Sequence, residues 1–288
     1  METIAFLGTG LMGAGLAEAA ARRGDRVSAW NRTASKAQPL AAFGVRVART
    51  VGEAVAGADR VHVMLSDDAA VDAVLAEAGE GLRGVLVVDH STVLPAGVVA
   101  RAARLAERGI GFLHAPVFMS PAMCRQATGV MLCAGPQAAF DKASTALSAM
   151  TGTVHYLGER PDLAAAEKLF GNAMIITITA GLADVFSLAA SLGIDAPTAH
   201  GLFAKFNPTG VLSYRGGAMS KGDYQAAFEL TMARKDVRLM LETAAAGDRQ
   251  LPVLARIAER MDALLARGLG ERDLGVLSID AVPDKTAG

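Results

Sequence analysis

The pattern of apolar and polar positions changes character midway along the chain. In the first half, short apolar runs alternate with longer amphipathic stretches. Residues 4–7, 26–30, 44–48, 60–65, 84–89, 111–115 and 129–134 read as strands. Residues 12–23, 51–57, 67–78, 95–109 and 137–150 read as helices, and 34–43 as a helix or extended turn. Strands separated by helices of this length predict right-handed βαβ units and a mostly parallel, doubly wound sheet. From about Leu163 only helical periodicity remains, over 163–192, 195–206, 224–246 and 252–267, and the tail after Gly275 is expected to fray. Pro161-Asp162 marks the change. The predicted fold class is therefore α/β. A Rossmann-like domain spans residues 1–161, and an all-α domain spans 162–288, joined by a long interdomain helix.

The first strand runs into Gly8-x-Gly10-x-x-Gly13, with Leu11 and Met12 inside the turn. Gly8 permits a sharp exit from the strand, Gly10 permits close approach of a pyrophosphate to the backbone, and Gly13 permits the helix to pack on the strand. The uncapped helix N-terminus suits phosphate. This turn between a strand and an Ala-rich helix predicts a dinucleotide site. At the end of the second strand, an NAD-preferring site carries an acid for the ribose 2′-OH. Here Asn31, Arg32 and Thr33 stand in its place, and Lys36 follows one turn on. A guanidinium suits a 2′-phosphate, so NADP(H) is expected over NAD(H). Ligands of such sheets bind beyond the carboxyl ends of the strands. That rule adds Met64, Leu65 and Ser66, then Asp89 to Thr92, then His114 to Ser120.

Composition narrows the classes. With 288 residues, 52% hydrophobic and 20% charged, the chain can build two cores. A net charge of −1 gives no electrostatic attraction to nucleic acid or acidic membranes. The two cysteines, Cys124 and Cys133, suit neither a disulfide framework nor a metal site. The N-terminus enters the first strand directly, which predicts a cytoplasmic protein. Residues 173–194 are apolar enough to be mistaken for a membrane span. Asp184 and several hydroxyl residues interrupt them, which predicts a helix buried between domains or subunits.

A reductase needs a proton donor beside the reacting carbonyl. Lys168, near the start of the long apolar helix, is the candidate, with Asn172 one turn later. Apolar surroundings lower a lysine's pKa towards a useful value. His62 lies inside a strand pattern and reads as structural, whereas His90 and His114 lie at strand ends facing the predicted cleft.

Five motifs together resemble the β-hydroxyacid dehydrogenase family, which includes 3-hydroxyisobutyrate dehydrogenases and glyoxylate/succinic semialdehyde reductases. They are IAFLGTGLMGAGLA (4–17), Asn31-Arg32-Thr33, Asp89-His90-Ser91-Thr92, Lys168 with Asn172, and Lys235-Asp236. The resemblance implies that Lys168 is the catalytic acid/base, that Asn172 and Thr92 orient the substrate, and that Ser91 lies at the substrate. It also implies that Thr92 and Lys235 touch the cofactor, with Lys235 closing over it. The implied assembly is a homodimer or homotetramer, and the implied substrate a small aldehyde acid or β-hydroxyacid. One motif departs. The family's substrate loop has Ser-Gly-Gly after Pro-Val, and this chain has Val117-Phe118-Met119-Ser120-Pro121. Val117, Phe118 and Met119 are taken as substrate-facing, which makes the pocket more apolar and weakens its hold on a carboxylate. That departure also resembles imine reductases, so imine reduction is an alternative, and non-catalytic NADP binding is another.

Overall fold

The computed structural model describes residues 2–285. It divides into two compact units, Met1–Ala173 and Met174–Gly288.

In the first unit, the elements run β1 (Thr3–Leu7), α1 (Leu11–Arg22), β2 (Arg26–Trp30), β3 (Arg46–Val47), α2 (Val51–Val55), β4 (Arg60–Val63), α3 (Asp68–Ala78), β5 (Leu86–Asp89), α4 (Pro95–Glu107) and β6 (Gly111–His114). Their strands form one parallel sheet in the order β3-β2-β1-β4-β5-β6. Both faces are covered, so the central strands are largely apolar: Ala5, Leu7, Val61, Val63 and Val87 join one core, and Ile4, Phe6, Val88 and Leu113 join the other, while Arg60 and His62 of β4 are buried polar exceptions. Residues 34–43 form short 3₁₀ turns, not a regular helix.

The unit continues with β7 (Val117–Phe118), α5 (Pro121–Gln126), β8 (Val130–Cys133), α6 (Gln137–Ser148) and β9 (Thr153–Tyr156). These strands make a second, three-stranded sheet in which β8 runs antiparallel to β7 and parallel to β9. Neither β7, β9 nor α5 is legible in the residue pattern, because two- and four-residue strands owe their form to the ladder they join.

Helix α7 (Leu163–Ser191) begins in the first unit and ends in the second. The domain boundary expected at 161/162 falls just before it, and the compact units divide at 173/174 because the first turns of α7 pack on the first unit, with Ala164 and Ala165 buried there. By length and composition α7 is able to cross a membrane. In the single chain Phe170, Ile175 and Ile176 are 69%, 55% and 67% exposed, so the chain by itself does not supply the expected burial between domains or subunits for these residues.

The second unit carries α8 (Ala196–His200), α9 (Gly210–Met219), α10 (Leu230–Ala246) and α11 (Pro252–Leu265) around a core that includes Tyr224, Leu230, Val237, Met261 and Val276. Asp184, the acid that interrupts the apolar run of α7, is buried and accepts the Leu254 amide at 2.8 Å, capping α11. Through residue 285 the tail does not fray after Gly275, and residues 286–288, which the expectation also covered, lie outside the described residues. Residues Leu274–Ser278 form a 3₁₀ turn, and the buried Tyr224 hydroxyl donates to the Val282 carbonyl at 2.5 Å.

Candidate functional site

At the carboxyl ends of β1, β2 and β4 lies a cleft of about 590 Å³. Gly10, Leu11, Met12, Gly13, Asn31, Arg32, Thr33, Met64, Leu65 and Ser66 all line it, as the strand-end rule predicts. The glycines divide their work. Gly8 sits at φ +101°, and a Cβ there would stand 2.2 Å from the Met64 carbonyl oxygen. A Cβ on Gly13 would stand 2.1 Å from the Gly8 carbonyl oxygen. At Gly10 a Cβ would meet nothing within 4 Å, so the turn leaves open space where a pyrophosphate would approach. Gly10 begins α1 without a side-chain cap, which leaves the first amides of the helix unclaimed by a capping group. The residues present therefore fit a dinucleotide.

Asn31 is an organiser of this cleft: its Oδ1 accepts the Thr9 amide at 3.0 Å and its Nδ2 donates to the Thr33 carbonyl at 3.0 Å. That arrangement holds the first and second strand ends together and leaves Arg32 and Lys36 exposed at the rim. Ala70, Ala73, Val74 and Glu77 also line the cleft and were not anticipated. Their spacing is that of a single helical face on α3, a signal readable once α3 is known to border the site.

The second group of residues gathers around the start of α7. Lys168 is half-buried, its Nζ donates to the Val117 carbonyl at 2.7 Å, and the Phe118 ring centroid lies 4.0 Å from it. Burial lowers the Lys168 pKa below its usual 10.5. Asn172 is half-buried one turn further along the helix. The three loop residues separate. The Val117 side chain is buried in the core and contributes its carbonyl, Phe118 turns onto α7, and Met119 packs inward, its sulfur 3.8 Å from Cys124 Sγ. Met119 is thus partly buried and packed against the core, with Cys124 also 3.9 Å from the Met12 sulfur.

Ser91 and Thr92 separate in the same way. Ser91 is 1% exposed, its Oγ accepts the Leu65 amide at 3.0 Å, and its amide donates to Asp89 Oδ1 at 2.9 Å. It ties the ends of β4 and β5 together and has no free face for a substrate. Thr92 is exposed.

His90 and His114, expected to face the cleft, are buried instead. Arg60 Nε donates to His62 Nε2 at 2.8 Å, His62 Nδ1 meets His90 Nε2 at 2.8 Å, and His90 Nδ1 meets the Ala115 carbonyl at 2.6 Å. Arginine can only donate, so His62 Nε2 accepts, which places the proton of each ring on Nδ1. Burial, with the Arg60 charge behind it, holds His62 well below its usual range, and burial lowers His90 to about 4. Beside them Arg101, 1% exposed, reaches Asp72 at 2.7 Å, Asp68 at 3.0 Å and the fully buried Asp89 at 3.4 Å. Burial pushes the Asp89 carboxyl up, yet the His114 ring at 3.8 Å and the Ser91 groups outweigh it and the pKa is lowered.

Lys235 lies on α10 in the second unit, exposed, with its Nζ 2.9 Å from Asp236 Oδ1.

A parallel Rossmann-type sheet with an open glycine cradle, followed by a helical unit, is the architecture of a dinucleotide-binding protein. Residues 3–158 match the NAD binding domain of 6-phosphogluconate dehydrogenase, and residues 164–277 match the NAD-binding domain of NADP-dependent 3-hydroxyisobutyrate dehydrogenase. The chain belongs to this 3-hydroxyisobutyrate dehydrogenase-type family of NAD(P)-dependent oxidoreductases. It is 30% identical to glyoxylate/succinic semialdehyde reductase 2 of Arabidopsis thaliana, over 96% of this chain and 78% of that one. It is 31% identical to the human cytokine-like nuclear factor N-PAC over 90% of this chain, and spans about half, 47%, of that protein's length. Its fold superposes on an imine reductase from Myxococcus stipitatus with a TM-score of 0.90 at 23% identity, covering 96% of this chain and 98% of that one.

Proposed function

We propose that this protein moves a hydride between NADP(H) and the carbonyl or alcohol carbon of a small substrate, with Lys168 as the general acid or base. The observation that carries this reading is the half-buried Lys168 ammonium, lowered in pKa and anchored on the Val117 carbonyl at 2.7 Å. When bound, the nicotinamide supplies or accepts the hydride. The turn that Gly8 and Gly13 shape holds the pyrophosphate at Gly10 and the first amides of α1, and Arg32 with Lys36 faces the 2′-phosphate, which favours NADP(H). Lys168 protonates the developing alkoxide on reduction and takes the proton back on oxidation. The anchoring carbonyl also restricts the lysine's side chain, so the proton sits at a defined point instead of being averaged over rotamers. Thr92, the exposed member of its pair, and Asn172 orient the substrate oxygen, and Lys235 covers the cofactor.

The apolar flank of α7 is the wrong surface to leave in water, and a second copy of the chain is proposed to cover it, giving a homodimer or homotetramer. Light scattering on the purified protein tests that part: a monomer at micromolar concentration refutes it.

The chemical reading is tested by NADPH oxidation against glyoxylate, succinic semialdehyde, an uncharged aldehyde and a cyclic imine, with NADH in parallel. Lys168→Met is expected to lower kcat by on the order of 10² to 10⁴-fold while leaving NADPH binding intact. Unchanged turnover in that variant refutes the role of Lys168. Activity on the imine alone moves imine reduction ahead.

A further inference from the structure

The residue that departs most from the family pattern lies directly on the proposed proton donor. The Phe118 ring stands 4.0 Å from Lys168 Nζ, and the helix opposite it carries Gly171. A Cβ on Gly171 would stand 2.3 Å from Phe118 Cζ and 2.7 Å from Cε1. The ring therefore occupies a notch that only glycine leaves open. The side chain also packs against an apolar cluster of Leu132, Ala134 and Ala164.

Several backbone groups of the loop are already engaged. Phe118 pairs with Val130 in the β7–β8 ladder. The Ser120 amide points at the Met123 sulfur at 3.5 Å, the Met123 amide donates to Ser120 Oγ at 3.2 Å, and the Cys124 amide donates to the Ser120 carbonyl at 3.0 Å. Pro121 has no amide hydrogen. The nearby Arg125 is bound to Glu18 at 2.9 Å. A carboxylate brought beside Lys168 would have to shed water against the apolar Phe118 side chain. An apolar substituent there would gain buried contact instead.

We infer that Phe118, seated in the Gly171 notch, is a specificity-determining residue that selects uncharged carbonyl compounds whose remaining part is apolar and turns away aldehyde acids. This rests on the reading of Lys168 as proton donor. In the reaction the carbonyl carbon gains hydride from NADPH, the oxygen gains the Lys168 proton, and alcohol and NADP⁺ leave. Phe118 touches only the substrate's remaining part.

The test uses a matched pair. 4-Methylpentanal replaces the carboxylate of succinic semialdehyde by an isopropyl group of similar shape. The full-length protein with NADPH is expected to favour 4-methylpentanal in kcat/KM by on the order of 100-fold. Phe118→Ser, checked for folding by its melting temperature with NADPH, is expected to shrink that ratio at least about tenfold, chiefly through KM. Equal or better use of succinic semialdehyde by the wild type overturns the inference, as does an unchanged ratio in the folded variant. If neither aldehyde is reduced, the reading of the chemistry fails. The inference is then decided by binding alone: 4-methylpentan-1-ol, and not 4-hydroxybutyrate, must raise the melting temperature of the NADP⁺-loaded protein, and the opposite order overturns it.

Discussion

Mild acid should weaken the first unit through one buried histidine chain, and the size of the effect follows from the structure. His90 is 3% exposed, accepts from His62 and donates to the Ala115 carbonyl. Burial lowers its pKa to about 4 from 6.5, while Asp89 pulls it up and His114 and Arg60 push it down. The native ring refuses a proton that the unfolded chain accepts below pH 6.5. The stabilisation is therefore complete above pH 6.5, is lost as pH falls from 6.5 to about 4, and changes no further below that. The gap between the two values is worth roughly 3 kcal/mol, of which about 2.5 kcal/mol is lost by pH 4.5. Carboxylates titrate in the same region, so a variant isolates the histidine. His90→Asn keeps a donor for the Ala115 carbonyl and removes the titrating ring. Urea unfolding of both proteins from pH 7.5 to pH 4.5 should show the wild-type advantage shrinking by about 2.5 kcal/mol. An advantage that stays constant within about 0.5 kcal/mol over that range would refute the reasoning.

Three further outcomes follow from named contacts. Arg32→Asp should weaken NADPH use by about 10- to 100-fold, read as KM, and leave NADH use equal or improved, since it removes a charge-assisted contact to the 2′-phosphate. Arg101→Met leaves Asp89 buried and without its cation, and should cost about 3 to 5 kcal/mol in urea unfolding. Gly171→Ala drives a methyl group into the Phe118 ring, and should cost about 1 to 3 kcal/mol in the wild type and little in a Phe118→Ala background; equal costs in the two would mean that the notch is not filled by the ring.

The chain alone determined the α/β order of the first half, the glycine turn and its cofactor class, and the lysine at the head of the apolar helix. These are local: strand and helix periods, a turn that needs glycine, and a charge in an apolar run each leave their mark within a few residues of sequence. The tertiary structure decided which side chains of each motif face outward. Ser91 and Thr92 are adjacent, yet one is spent on the Leu65 amide and the other is exposed. Phe118 and Met119 are adjacent, yet one covers Lys168 and the other packs with Met12 and Cys124 against the core. Successive side chains of an extended chain point to opposite sides, and which side is the site depends on what packs behind. The same reason placed His90 inside: its partners, His62 and the Ala115 carbonyl, lie 28 and 25 residues away in sequence and meet it only because β4, β5 and β6 are neighbours in the sheet. Residues 274–285 are settled by distant contacts as well, since Tyr224, which accepts no pattern of its own, anchors them from fifty or more residues upstream.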